Sequence, residues 1–296
     1  FLALLVLRPD SGHGARWLTL ALPVLLAFTG AFVVRGELGL TTVRSALRVL
    51  TGGPTGLGSG APPATYLLPA LRVAGPFGAE WRSELELANP CSEPATLSFE
   101  LLLAGRDEAP APQAQLELEA RGRLRVGDVL GELFARDGVG ALRLVGEGGC
   151  ATAGIRVYDP SGSLPAGPLV EGVGAPSPLG PGRALVLQGL ASVPSGRSRT
   201  RTSLGILNLS PTPIDLEVAV LDVGGAVLGS KQLRLRRREL RQINDLFAAS
   251  GAPAAAAASA RVSSPSIGAR VLAYAMVARR EPAGLSLVLP EPLPPR

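Results

Sequence analysis

Histidine is almost missing from this 296-residue chain. The one present, His13, lies ahead of everything that reads as a folded domain. A Ser-His-Asp or Cys-His arrangement and any histidine-based zinc site are therefore excluded from the rest of the chain. Cysteine is nearly as scarce, and Cys91 and Cys150 are too few for a four-thiolate metal site. Acidic residues are scattered, with no Asp-x-Asp-x-Asp cluster of the calcium-binding kind. No residue is assigned to catalysis, to a cofactor or to a metal, and the chain is read as non-enzymatic. Aromatics are only 4%, so the cores have to be built from Leu, Val, Ala and Ile. Turn formers are abundant instead: 37 Gly and 27 Pro suit many short strands joined by tight turns. Glycine shows no three-residue period, which excludes collagen.

The stretch 81–102 recurs 119 residues later as 200–221 without a gap. Arg82 matches Arg201, Ser83 matches Thr202, Leu85 matches Leu204, Asn89 matches Asn208 and Pro94 matches Pro213. So long a period suits a duplicated domain rather than a solenoid. Each copy alternates apolar and polar residues on both sides of an Asn/Pro/Ser turn, the pattern of two antiparallel strands with one buried face.

Extending the pattern gives first-copy strands at 66–73, 81–88, 95–103, 115–126, 140–145 and 150–158, with a possible edge at 168–173. Asp128 caps a short helix through Phe134. The second copy reads 184–193, 200–207, 214–221, 227–235, 240–243, 256–263, 267–277 and 284–289. Its helix is capped by Asn244 or Asp245 and stopped by Gly251. Phe134 aligns with Phe247, Arg143 with Arg261 and Tyr158 with Tyr274. The expected fold is all-β: two tandem immunoglobulin-like antiparallel β-sandwiches, each with one short helix, or eight-stranded jelly rolls as the alternative. The domains are 65–173 and 183–290, joined by a Pro/Gly linker at 174–182 and followed by a tail, 291–296. Each domain is expected to fold alone.

Ahead of them, the segment 1–34 contains a run without charge, 17–34, close to the length of a membrane-crossing helix; a signal peptide is the competing reading. The segment 35–64 is a linker. Exported domains, anchored to a membrane or secreted into a periplasmic or extracellular space, are the expectation.

The elements Arg-[Ser/Thr]-x-Leu-x-[Leu/Ile]-x-Asn, the Asp-capped helix ending in Phe and the late Tyr resemble tandem β-sandwich domains of exported bacterial proteins of unknown role. The resemblance covers roughly 66–290 and implies a fold, saying little about activity. A structural or adhesive module of the cell surface, with other cell-surface proteins or anionic polysaccharide as partners, is the expectation.

Three local features invite a functional reading. Residues 224–231 approximate a phosphate loop, but Ser230 and Lys231 stand in swapped order and the stretch spans a turn and a strand, so a hairpin is expected. Glu84 and Glu86, at i and i+2, mark a solvated strand face. The segment 231–241 is the strongest charge feature. Lys231, Arg234, Arg236, Arg237, Arg238 and Arg241 are candidates for binding anionic polysaccharide or lipid head groups, against the plainer reading of a solvated face. Nucleic acid is disfavoured, because no exposed aromatics interleave with the charge.

Charge is also unevenly divided. Residues 64–182 carry 9 basic and 15 acidic side chains, a net of −6, and residues 183–289 carry 14 and 6, a net of +8. Salt-sensitive attraction between the domains follows. Cys91 and Cys150 form a candidate disulfide that would contribute about 4 kcal/mol by closing a long loop. If each connection simply reverses direction, however, the two lie at opposite ends of the sandwich unless the helix crosses it.

Overall fold

The computed structural model describes residues 64–105, 110–147, 150–162, 166–179 and 183–292, all within one compact unit, Gly60–Arg296. The expected hydrophobic segment 1–34, the linker 35–64 apart from Ala64, His13, and the tail beyond Pro292 lie outside the described residues. So do Gly180, Pro181 and Gly182 of the linker between the copies. Among the described residues no helix is long and apolar enough to cross a membrane.

The first copy runs β1 (Thr65–Ala74), β2 (Glu80–Ala88), β3 (Ala95–Leu103), β4 (Gln113–Leu118), β5 (Arg123–Val126), α1 (Val129–Phe134), β6 (Gly138–Glu147), β7 (Thr152–Tyr158), β8 (Val170–Glu171) and β9 (Val173–Gly174). The second runs β10 (Ala184–Ser192), β11 (Thr200–Asn208), β12 (Ile214–Leu221), β13 (Val227–Leu235), β14 (Leu240–Ile243), α2 (Leu246–Ser250), β15 (Ala255–Ser263), β16 (Val271–Arg279), β17 (Gly284–Val288) and β18 (Glu291–Pro292).

The molecule is mostly β, in antiparallel sheets. In the second copy the sheets are β13-β12-β15-β10-β18 and β14-β11-β16-β17. The first copy repeats that order strand for strand, β4-β3-β6-β1 with β9 beyond, and β5-β2-β7-β8. There, β1 joins both layers, pairing with β6 along most of its length and with β2 at its end.

Alternation builds each core. On β12, Ile214, Leu216, Val218 and Val220 are buried inward while Asp215 is exposed; on β3, Leu97, Phe99, Leu101 and Leu103 point in. The repeated motif turns out to be structural. Ser83 Oγ accepts from the Leu71 N–H at 2.8 Å and donates to the Pro69 carbonyl at 3.0 Å. Thr202 Oγ1 makes the same pair of bonds to Ala191, at 3.3 and 2.6 Å. Each hydroxyl pins the irregular middle of its copy's first strand to the opposite sheet. Asn89 and Asn208 are buried at the strand ends, where their amides hold the following turn. Asn208 Nδ2 donates to the carbonyls of Thr212 and Arg236 at 3.1 and 2.9 Å, and Asn89 Nδ2 to those of Glu93 and Glu119 at 2.8 and 3.1 Å. Asp128 and Asp245 cap α1 and α2 through the N–H groups of Gly131 and Ala248. Arg82 and Arg201 reach those same capping carboxylates, at 3.5 and 3.8 Å.

Several expectations need correction. The stretch 115–126 is not one strand: β4 pairs with β3, and β5 pairs with β2 in the other sheet. A turn intervenes, with Arg121 at φ 56° and the Gly122 N–H bonded to the Glu119 carbonyl. That extra reversal also settles the cysteines. The end of β2 and the start of β7 are neighbours, Ala88 opposite Thr152, and Cys91 and Cys150 form a disulfide with Cα atoms 6.2 Å apart. No helix has to cross the sandwich for this. Tyr158 and Tyr274 are not equivalent either: Tyr158 sits opposite Arg82, but Tyr274 sits opposite Gly205, whose counterpart is Glu86. Counted from the capping Asp, Phe247 answers to Leu130 rather than to Phe134.

A third apolar cluster lies between the copies. The outward side chains of the β4-β3-β6-β1 sheet (Tyr66, Leu68, Leu102, Ala141) pack with those of the β14-β11-β16-β17 sheet (Leu207, Tyr274, Met276, Ala278). Tyr274, 1% exposed, lies over Gly205, where any β-carbon would collide with the ring. The contact is therefore mainly apolar. Charge contributes the Glu100–Arg238 pair across the copies and an Arg199 guanidinium 5.4 Å from the Phe77 ring centre.

Candidate functional site: a basic cleft between the copies

Alternation puts Leu233 and Leu235 in the core and leaves Arg234 exposed, and β13 then leaves the sheet through a turn, 236–239. That turn is fixed on three sides. Arg238 adopts φ 60°, its N–H donates to the Asn208 carbonyl at 3.0 Å, and the Glu239 carboxylate accepts from the Arg236 N–H at 2.7 Å. Burial alone would raise the Glu239 pKa, but that backbone bond and the adjacent Arg241 guanidinium outweigh it and hold the carboxyl below its ordinary value.

The turn stands against the first copy. The Gly105 N–H donates to the Leu240 carbonyl at 3.3 Å, and Glu100 pairs with Arg238 as well as with Arg143. Between them lies a cleft of about 970 Å³. Among the described residues, Arg234, Arg236, Arg237, Arg238 and Arg241 line it together with the carboxylates of Glu100 and Glu239. Lys231, the sixth basic candidate, is not in its wall. It shares the core-facing side of β13 with Leu233, because residues two apart on a strand face the same way. Glu100 and the first copy's wall escaped the sequence reading; only the alternation on β3, which makes Glu100 outward-facing, pointed to them.

Elsewhere, chemistry is sparse. Residues 224–231 are the β12–β13 hairpin turn and its following strand, with the Asp222 carboxylate accepting from the N–H groups of Gly224 and Ala226. Glu84 is not on a solvated face: it is 4% exposed, clamped by Arg125 and Arg156. The Tyr158 phenol, pushed up by burial and by nearby Asp128 and Glu84, donates to the Gly127 carbonyl at 3.0 Å. Among the described residues no group of three or more His, Cys, Asp or Glu could hold a metal ion.

Tyr274 gives a pH expectation. Burial pushes its phenol well above the usual 10.0, while its hydroxyl donates to Gln242 at 2.8 Å. The fold thus favours the neutral form. Its contribution is complete below the ordinary phenol value and is lost as pH rises beyond it, by up to about 1.4 kcal/mol per pH unit. Urea unfolding between pH 9 and 12 should show this slope, and Tyr274→Phe should flatten it. Equal slopes in both proteins would locate the alkaline sensitivity elsewhere.

No family model matches the sequence, and neither does any curated protein. Among solved structures, the chain is similar to Bacteroides uniformis beta-glucuronidase 2, determined covalently bound to cyclophellitol-6-carboxylate aziridine. Identity is 11% over 71% of this chain and 24% of that one, with a TM-score of 0.18. The chain spans about a quarter of that enzyme's length.

Proposed function

We propose that this chain is a non-enzymatic structural or adhesive module of the cell surface. Its two immunoglobulin-like sandwiches, in the broad architectural sense, act as one stiff body held outside the cell by the apolar run 17–34. The observation that carries this reading is the apolar cluster shared by the copies, which turns a flexible tandem into one solid. The disulfide supports it, since such bonds persist in oxidising compartments outside the cytosol. In the cells that make it, the protein should sediment with membranes and be cut by protease added to intact cells. Recovery in the cytosol, protected from that protease, would refute the reading.

A second reading, binding of a polyanion by the second copy's basic surface, is favoured by the five arginines gathered in the cleft.

A further inference from the structure

We propose that the cleft between the copies binds a linear anionic polysaccharide bearing carboxylate or sulfate groups, with Arg234 and Arg237 as its principal contacts. The proposal rests on the second reading and deepens it by placing the site and its ligand class.

Among the described residues of the lining, five guanidiniums stand against two carboxylates. The arginines are not equally available. Arg238 and Arg241 are engaged by Glu100 and Glu239. Arg234 has only an open 3.7 Å pair with Asp215, both side chains more than half exposed, and such pairs are weak. Arg237 enters no ion pair among the described residues. Two exposed guanidiniums thus stand beside a turn already fixed by Asn208 and Glu239, so binding them orders little further backbone.

The guanidinium fork matches the paired oxygens of a carboxylate or sulfate. A concave site of this volume, walled by two copies, admits a short run of a polymer rather than a single ion. Among the described residues no aromatic lines it, so these give bases nothing to stack on. Among the described residues none of the exposed large apolar side chains lies in its wall, so these offer no apolar edge to a lipid surface.

The test is fluorescence anisotropy of the full chain with a labelled heparin oligosaccharide, a polygalacturonate oligomer and a single-stranded oligothymidylate of equal charge. The double variant Arg234→Ser/Arg237→Ser is compared with Arg197→Ser/Arg280→Ser, which removes the same charge from exposed positions away from the cleft. We expect the sugars to bind at least about tenfold more tightly than the oligonucleotide. The cleft variant should lose about tenfold in affinity or more, and the control less than about twofold, with thermal melts unchanged. Equal losses in the two variants would overturn the cleft while leaving a diffuse basic surface in place. Preference for the oligonucleotide would overturn the polysaccharide class. No binding of any of the three by the unaltered chain would remove this proposal and the second reading together.

Discussion

Replacing Phe247 by Ala is expected to destabilise the protein by about 3–5 kcal/mol. Phe247 is 2% exposed on α2, and its ring fills the second copy's core alongside Leu216, Leu233 and Ala258. The helix cannot slide to fill the void. Asp245 caps its start, and Gly251, in the left-handed region at φ 68°, ends it with bonds from its own and the following N–H. A rigid surround is what makes a large-to-small change costly, because the cavity stays open. Since a domain is stable by roughly 5–15 kcal/mol, this is a large share. Urea unfolding should show a lower midpoint with an unchanged slope. Ile267→Ala, at a side chain 91% exposed, should move it by less than about 0.5 kcal/mol. A loss below about 1 kcal/mol for Phe247→Ala would mean that α2 does not plug the sandwich.

Much of this architecture was readable because local signals agreed with the global fold. The second copy's β14 falls at 240–243 as expected, since Ile243 closes a strand and Asp245 opens a helix. The first copy was harder at the equivalent place. Glu119, Ala120 and Arg121 continue the polar-apolar alternation through a turn, so two strands in different sheets read as one. With that chain reversal left out, the alternation places Cys150 at the wrong end of the sandwich. Tyr158 and Tyr274 were matched by residue type, whereas equivalence is set by register.

The contact between the copies was hidden for a different reason. On β16 the run from Val271 to Ala278 is apolar on both sides, which is what burial on both faces requires, yet the same run could be a central strand of any sandwich. The basic candidates were found by composition, but a cleft needs a second wall. Glu100, Leu102 and Pro110 supply it from a copy more than a hundred residues away. No local pattern encodes that.

The central claim is that the copies form one body through an apolar layer rather than through opposite net charge. Residues 64–175 and 176–290 each retain a sandwich core of their own, Leu179 going with the second, so each half should fold when produced separately. Each would then expose the side chains of the shared layer, among them Tyr66, Leu68 and Leu102 on one half and Leu207, Tyr274 and Met276 on the other. Burying them drives reassociation, and the apolar driving force does not weaken with salt. The −6 and +8 balance, by contrast, is screened within about 3 Å at 1 M salt. The decisive measurement is size-exclusion chromatography of the mixed halves at about 0.05 M and about 1 M sodium chloride. The account predicts a one-to-one complex at both. Halves that separate at the higher salt, or that never associate, would contradict it.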